Sequence, residues 1–168
     1  MLKVALKYAL IAGIFEAILF HVSRIMGVHP LTELSHLFFD VILLSLFIGV
    51  AVYEYKRYQS EGILHFWQGM TLGFLVYTQS VIFFGIFLYV YFGLDPELLS
   101  EYKVLAMQIL EERKDMYLEQ FGQEQYDVQV AEIQNISVNR LIFSALLKKL
   151  VAGFFVTPAL SIVLRKKA

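Results

Sequence analysis

Residues 66–92 read FWQGMTLGFLVYTQSVIFFGIFLYVYF and contain no Lys, Arg, Asp or Glu. As a helix the stretch is roughly 40 Å long at about 1.5 Å per residue, against a hydrocarbon core of about 30 Å. An uninterrupted apolar helix of that length does not fit inside a soluble fold of 168 residues. It reads as a membrane span, with Trp67 at one interface and Tyr89 and Tyr91 at the other.

The whole composition agrees with lipid as the solvent. Hydrophobic residues make up 58% of the chain and the mean hydropathy is +0.63, where a soluble domain is nearer 45–50% apolar. The length suits one integral membrane domain over residues 1–168. A net charge of −1 gives no electrostatic footprint for nucleic acid. The absence of Cys excludes disulfides, thiolate metal sites and a Cys nucleophile. No internal repeat is visible, which disfavours an inverted-repeat transporter.

Three further spans surround the first. Residues 4–26 form an apolar run that opens on Lys3 and Lys7 and is interrupted by Glu16. It is too long for a signal peptide, and no small-residue cleavage site follows it. After a turn at Gly27, His29 and Pro30, residues 35–53 form a second span. Residues 54–62 read as a short polar loop into 66–92, so the two flanking helices are antiparallel neighbours. The fourth span begins between Val138 and Leu150, about residue 141, and ends at Leu164. Lys148 and Lys149 blur its start. Placed at one interface they snorkel outward, while Arg165, Lys166 and Lys167 anchor the other end.

Between the third and fourth spans, residues 95–134 are too charged to cross a membrane, with ten acids against three bases. Asp95-Pro96-Glu97 is a helix start: Asp as cap, Pro at the first helical position, Glu at the positive end of the dipole. Leu98, Tyr102, Leu105, Ile109 and Met116 recur at three- and four-residue spacing and their multiples, one apolar stripe on an amphipathic helix. Gly122 breaks or bends it. A second piece with Tyr126, Val130 and Ile133 then folds back as a hairpin. The stripe's remaining face is available to a second copy or to another membrane or periplasmic protein.

Four spans put both termini on one side. That side holds Lys3, Lys7, Lys56, Arg57, Arg165, Lys166 and Lys167, whereas the 27–34 loop has only Arg24 at its edge. The positive-inside rule places both termini in the cytoplasm and the acidic arm outside.

The fold class is therefore an all-α membrane protein: four transmembrane helices with an extracytoplasmic acidic amphipathic arm between the third and fourth. The Phe66-Trp67-Gln68-Gly69 opening with Gly73-Phe74, the Asp95-Pro96 entry to an acidic helix and the Leu164-Arg165-Lys166-Lys167 ending resemble one family over nearly the whole chain. It is the Bacteroidota family of small membrane proteins known as domain of unknown function four-one-nine-nine. The resemblance implies a multi-pass protein of the inner membrane of a Gram-negative bacterium. It implies no activity.

Few residues carry candidate chemistry. Glu16 lies near the middle of the first span, where a charged carboxylate costs a few kcal/mol or more. It reads as a proton or cation site, or as a neutral carboxyl hydrogen-bonded to a neighbour such as Thr78 or Gln79, since no basic residue stands at its own depth. Gln79 and Asp40 are the other intramembrane polar candidates. His21, His29, His36, Glu33 and Asp40 fall toward the outer side, but no two histidines have ligand-type spacing, so no metal site is expected. Gly69 and Gly73 form a GxxxG pattern for close helix packing. No nucleophile elbow, phosphate loop or haem-clamping His pair occurs, so no cofactor and no enzymatic activity are expected. Two roles remain: a structural or accessory protein presenting its arm to a partner, or a small oligomeric transporter or channel using Glu16, Asp40 and Gln79.

Overall fold

The computed structural model describes residues 1–32 and 34–165, without the side chains of residues 34–37. All secondary structure among them is helical, in six elements: α1 (Leu2–Ile25), α2 (Leu34–Gln59), α3 (Phe66–Leu94), α4 (Glu97–Glu112), α5 (Lys114–Asn135) and α6 (Val138–Leu164). Among the described residues, three helices are long and apolar enough to cross a membrane: Phe38–Gln59 within α2, Phe66–Leu94 and Val138–Leu164. A helix satisfies its own backbone, which is why this is the form such apolar runs take in lipid.

The long helices pack around α3, which meets α1, α2 and α6. Small residues set the spacing. Ala5, Ala9, Ala12 and Gly13 line the buried face of α1. A methyl at Gly13 would stand 3.0 Å from the Phe83 Cβ, so α1 and α3 touch nearly backbone to backbone. Gly69 and Gly73 face α6: a methyl at Gly69 would meet Ser161 at 3.0 Å, and one at Gly73 would meet Thr157 at 2.6 Å. In return α6 offers Gly153 to the ring of Tyr77.

The core has two layers along the bundle. At the end holding Met1, the layer comprises Val4, Leu44, Ile48, Val52, Leu64, Leu72, Val76 and Tyr77. The Met1 amine donates to Gln59, Lys7 pairs with Glu54 at 2.7 Å, and Lys56 donates to the Leu164 carbonyl at 3.0 Å. These contacts gather the start of α1 and the ends of α2 and α6. At the other end Phe20, Phe84, Leu88, Phe92, Leu141 and Ile142 pack with Leu98, the first buried residue of α4.

α4 and α5 fold into an antiparallel hairpin. Tyr126 Oη donates to Glu111 and Lys103 Nζ donates to the Gln134 carbonyl, at 2.9 and 2.8 Å. Leu110, Tyr126 and Ile133 form its core, with Ala106, Met107, Tyr117, Leu118 and Val130 against them. The chain turns at Arg113 and again at Gly122, whose φ of 80° and ψ of 170° lie outside the helical region.

Several expectations change. The polar loop of 54–62 shrinks, because α2 continues through Gln59: Tyr55 packs on the core and Lys56 and Arg57 sit at the negative end of the helix dipole. Asp95 does not cap α4. Pro96 holds the cap position without a side-chain hydrogen bond, and the Asp95 carboxylate turns to Arg24 at 3.4 Å. The apolar stripe divides. Leu98 and Tyr102 face the bundle end, Leu105 and Ile109 are half-buried, and Met116 is exposed. α6 starts at Val138, the early edge of the range the sequence allowed, and its two lysines lie well inside the helix.

Candidate functional site, a buried charge cluster

Three of the long helices each send one charged side chain to a common point. Glu16 comes from the buried face of α1, one turn beyond Gly13. Asp40 comes from α2 and Lys149 from α6. Lys149 Nζ lies 2.6 Å from Asp40 Oδ2 and 3.6 Å from Glu16 Oε1. The residues are 1% (Glu16), 8% (Asp40) and 4% (Lys149) exposed. The fourth wall is α3, whose Phe84 ring lies 4.1 Å from the ammonium, a cation–π contact that shields it further.

The 2.6 Å contact has the distance of a hydrogen bond but not its angle, so Coulomb attraction holds the pair. Among the described residues, both Glu16 oxygens, Lys149 Nζ and Ser80 Oγ have no hydrogen-bond partner. Ser80 lies one turn before Phe84 on the same face of α3. Two carboxylates facing one ammonium leave a formal surplus of one negative charge when both are ionised. In a low-dielectric interior such a surplus is costly. The arrangement has two physical uses. It fixes the rotation of α1, α2 and α6 against each other, since turning any one of them strands a charge. It also offers a proton or a monovalent cation a place to bind.

Lys149 corrects two sequence expectations. Glu16 does have a basic partner at its own depth, and neither Thr78 nor Gln79 bonds to it. Lys149 does not snorkel to an interface. Lys148, its neighbour, is exposed. Gln79 is half-buried on α3 with its Oε1 out of contact with water, and no described contact joins it to the cluster.

A second polar cluster ties the hairpin to the bundle end. The Arg24 guanidinium reaches both oxygens of Glu101 and one of Asp95, a forked grip on α4. His29, buried in the α1–α2 loop, accepts from the Leu31 N–H and contacts the Leu98 carbonyl through Nε2, both at 3.3 Å. Its ring also lies against Tyr102. His21 is exposed and contacts Tyr91 Oη. His29, His21 and Asp40 thus have separate surroundings. Glu33 and the side chain of His36 lie outside the described residues.

Comparison with known proteins now adds a family. The family model described as a protein of unknown function (DUF4199) matches residues 7–166. The chain belongs to this family. No curated protein and no solved structure matches it. The match covers α2 to α6 and α1 from Lys7 onward, so in this DUF4199 protein the charge cluster and the hairpin both lie inside the family's extent.

Proposed function

We propose that this is a four-span protein of a bacterial inner membrane, a structural or accessory component that presents the α4–α5 hairpin outside the membrane to a partner. α1 is the fourth span in this reading. Its outer face carries exposed Leu6, Leu10, Ile14, Ile18 and Val22, and its inner face is Ala- and Gly-rich apart from Glu16, whose charge is paired inside the bundle. The observation that carries the role is the attachment of the hairpin. Arg24 and His29 hold its root to the bundle, while Val104, Met116, Phe121 and Val128 stay exposed among its acids. Exposed apolar groups on a fixed helical element are what an interaction surface needs. The test is crosslinking from Phe121 in native membranes, followed by solubilisation in mild detergent. A specific adduct, either a second copy or another protein, supports the role; a chain that crosslinks only to itself intramolecularly overturns it.

The charge cluster favours a second reading, a small oligomeric transporter or channel. Glu16→Gln keeps shape and hydrogen-bonding capacity while removing the charge. In the accessory reading the variant folds and supports the parent's function. In the transport reading it is expressed normally and loses proton or cation flux in proteoliposomes.

A further inference from the structure

A cleft lies between the hairpin, the α1–α2 loop and α6. Its volume is about 350 Å³, in the range that holds a small ligand or a lipid head. Leu31, Ile109, Met116 and Tyr117 supply an apolar and aromatic wall, and Arg113 and Lys148 supply charge. Among the described residues no carboxylate lines it, although acids outnumber bases ten to three in residues 95–134. The other two bases of the hairpin are occupied: Lys103 bonds to the Gln134 carbonyl, and Lys114 lies 3.4 Å from Glu111. The side chains of Arg113 and Lys148 have no ion-pair or hydrogen-bond partner among the described residues. Two unpaired cations, one from the hairpin turn and one from a candidate span, thus share one cleft.

We infer that this cleft binds the phosphate head of an anionic phospholipid. Arg113 offers a planar fork that matches phosphate geometry, and Lys148 adds a mobile point charge. The apolar wall receives the start of an acyl chain. The bilayer is the source because Lys148 stands on α6, a helix long and apolar enough to cross it. This assignment rests on the reading of α6 as a span, and it is independent of which partner the hairpin meets.

The full chain, purified in mild detergent, is titrated with phosphatidylglycerol and with phosphatidylcholine, and bound lipid is counted by native mass spectrometry. The parent is expected to retain phosphatidylglycerol selectively. Arg113→Gln with Lys148→Gln should weaken that retention by about tenfold or more, the scale of one lost charge-assisted contact. Lys103→Gln, a hairpin base outside the cleft, should leave it unchanged. Equal retention of the two lipids by the parent, or undiminished selectivity in the double variant, overturns the assignment. Displacement of phosphatidylglycerol by a soluble polyglutamate peptide at equal charge also overturns it, because the cleft then takes an acidic protein segment. Carbonate extraction of native membranes tests the span separately: a chain that stays in the membrane without lipid selectivity defeats only the lipid site.

Discussion

Lys148 and Lys149 stand about 100° apart around α6, so Lys148 faces outward while Lys149 turns into the bundle. With α6 starting at Val138, Lys149 lies about 17 Å from its first residue, and Glu16 lies about 14 Å from the last residue of α1. Those depths agree from the same bundle end. Glu16 was legible as costly in the sequence because it interrupts an apolar run. Its partner was not, because Lys149 is remote in the chain and its depth depends on where α6 begins. Lys149→Met should therefore destabilise the protein by roughly 3–5 kcal/mol, since two buried carboxylates lose their cation. Glu16→Gln should cost less, because Asp40 still pairs the lysine. Thermal unfolding in detergent checks the order; a Lys149→Met protein as stable as the parent would remove the cluster's role as a lock. His29 supplies a pH dependence. The Leu31 N–H donates to Nδ1, so the ring is neutral with its proton on Nε2, donated to the Leu98 carbonyl. Burial is the main cause that holds its pKa below the usual value of about 6.5, with the nearby Arg24 charge adding to it and the Leu98 carbonyl and Glu101 opposing. Between the unfolded and folded pKa values the unfolded chain binds the extra proton. The stabilisation is then complete above about pH 6.5 and is lost as pH falls through the folded value. His29→Gln should cost most stability at pH values above about 6.5, and the gap to the parent should narrow as the pH falls below it. A gap that stays constant with pH would show that the imidazole's proton has no part in holding the hairpin root.

Among the elements, α4 shows what a single-stripe reading averages away. The helix serves two partners on two faces: Leu98 and Tyr102 meet the bundle end, while Ala106, Met107 and Leu110 meet α5. Spacing alone merges the two faces and extends the stripe to Met116, which lies beyond the Arg113 turn. Leu110, buried in the hairpin core, was absent from that stripe for the same reason. The fold-back onto Tyr126, Val130 and Ile133 was legible, because an amphipathic helix of this length needs a second surface. Leu110→Ala should loosen the hairpin by roughly 2–4 kcal/mol, and Leu105→Ser with Ile109→Ser should do less per residue, since both are already half-exposed. Hydrogen exchange reads this directly: amides of α4 and α5 should lose protection while those of α3 keep theirs. If the Leu110→Ala hairpin stays as protected as the parent, the cluster of Leu110, Tyr126 and Ile133 does not hold it together.

At the scale of the molecule, the contacts fix which ends travel together and leave the membrane side to electrostatics. The Met1 amine meets Gln59, and Lys56 meets the last carbonyl of α6, so the chain's start and the end of α6 share one end of the bundle. Arg24 and His29 hold the hairpin at the other. Of the candidate spans, α2 and α3 were legible from uncharged apolar length, and α6 from the apolar run after Lys149. α1 was legible only as an interrupted run, because Lys7, Glu16 and Arg24 punctuate it, and each of the three has an acidic or basic partner in the fold. Such pairing lowers the penalty of carrying charge at or near the membrane. The end holding Met1 carries Lys3, Lys7, Lys56, Arg57 and Arg165, and the hairpin end is dominated by acids. Positive charge near span ends is retained in the cytoplasm, and acids weigh little in that choice. The expected orientation has both termini inside and the hairpin outside. Alkaline phosphatase and green fluorescent protein fusions at Ala168 and beside Gly122 should report opposite sides, with the Ala168 fusion fluorescent and inactive as a phosphatase. An active phosphatase at Ala168 would invert the molecule and place the hairpin, with its cleft and its exposed apolar residues, in the cytoplasm. The same side for both fusions would mean that α6 does not cross at all.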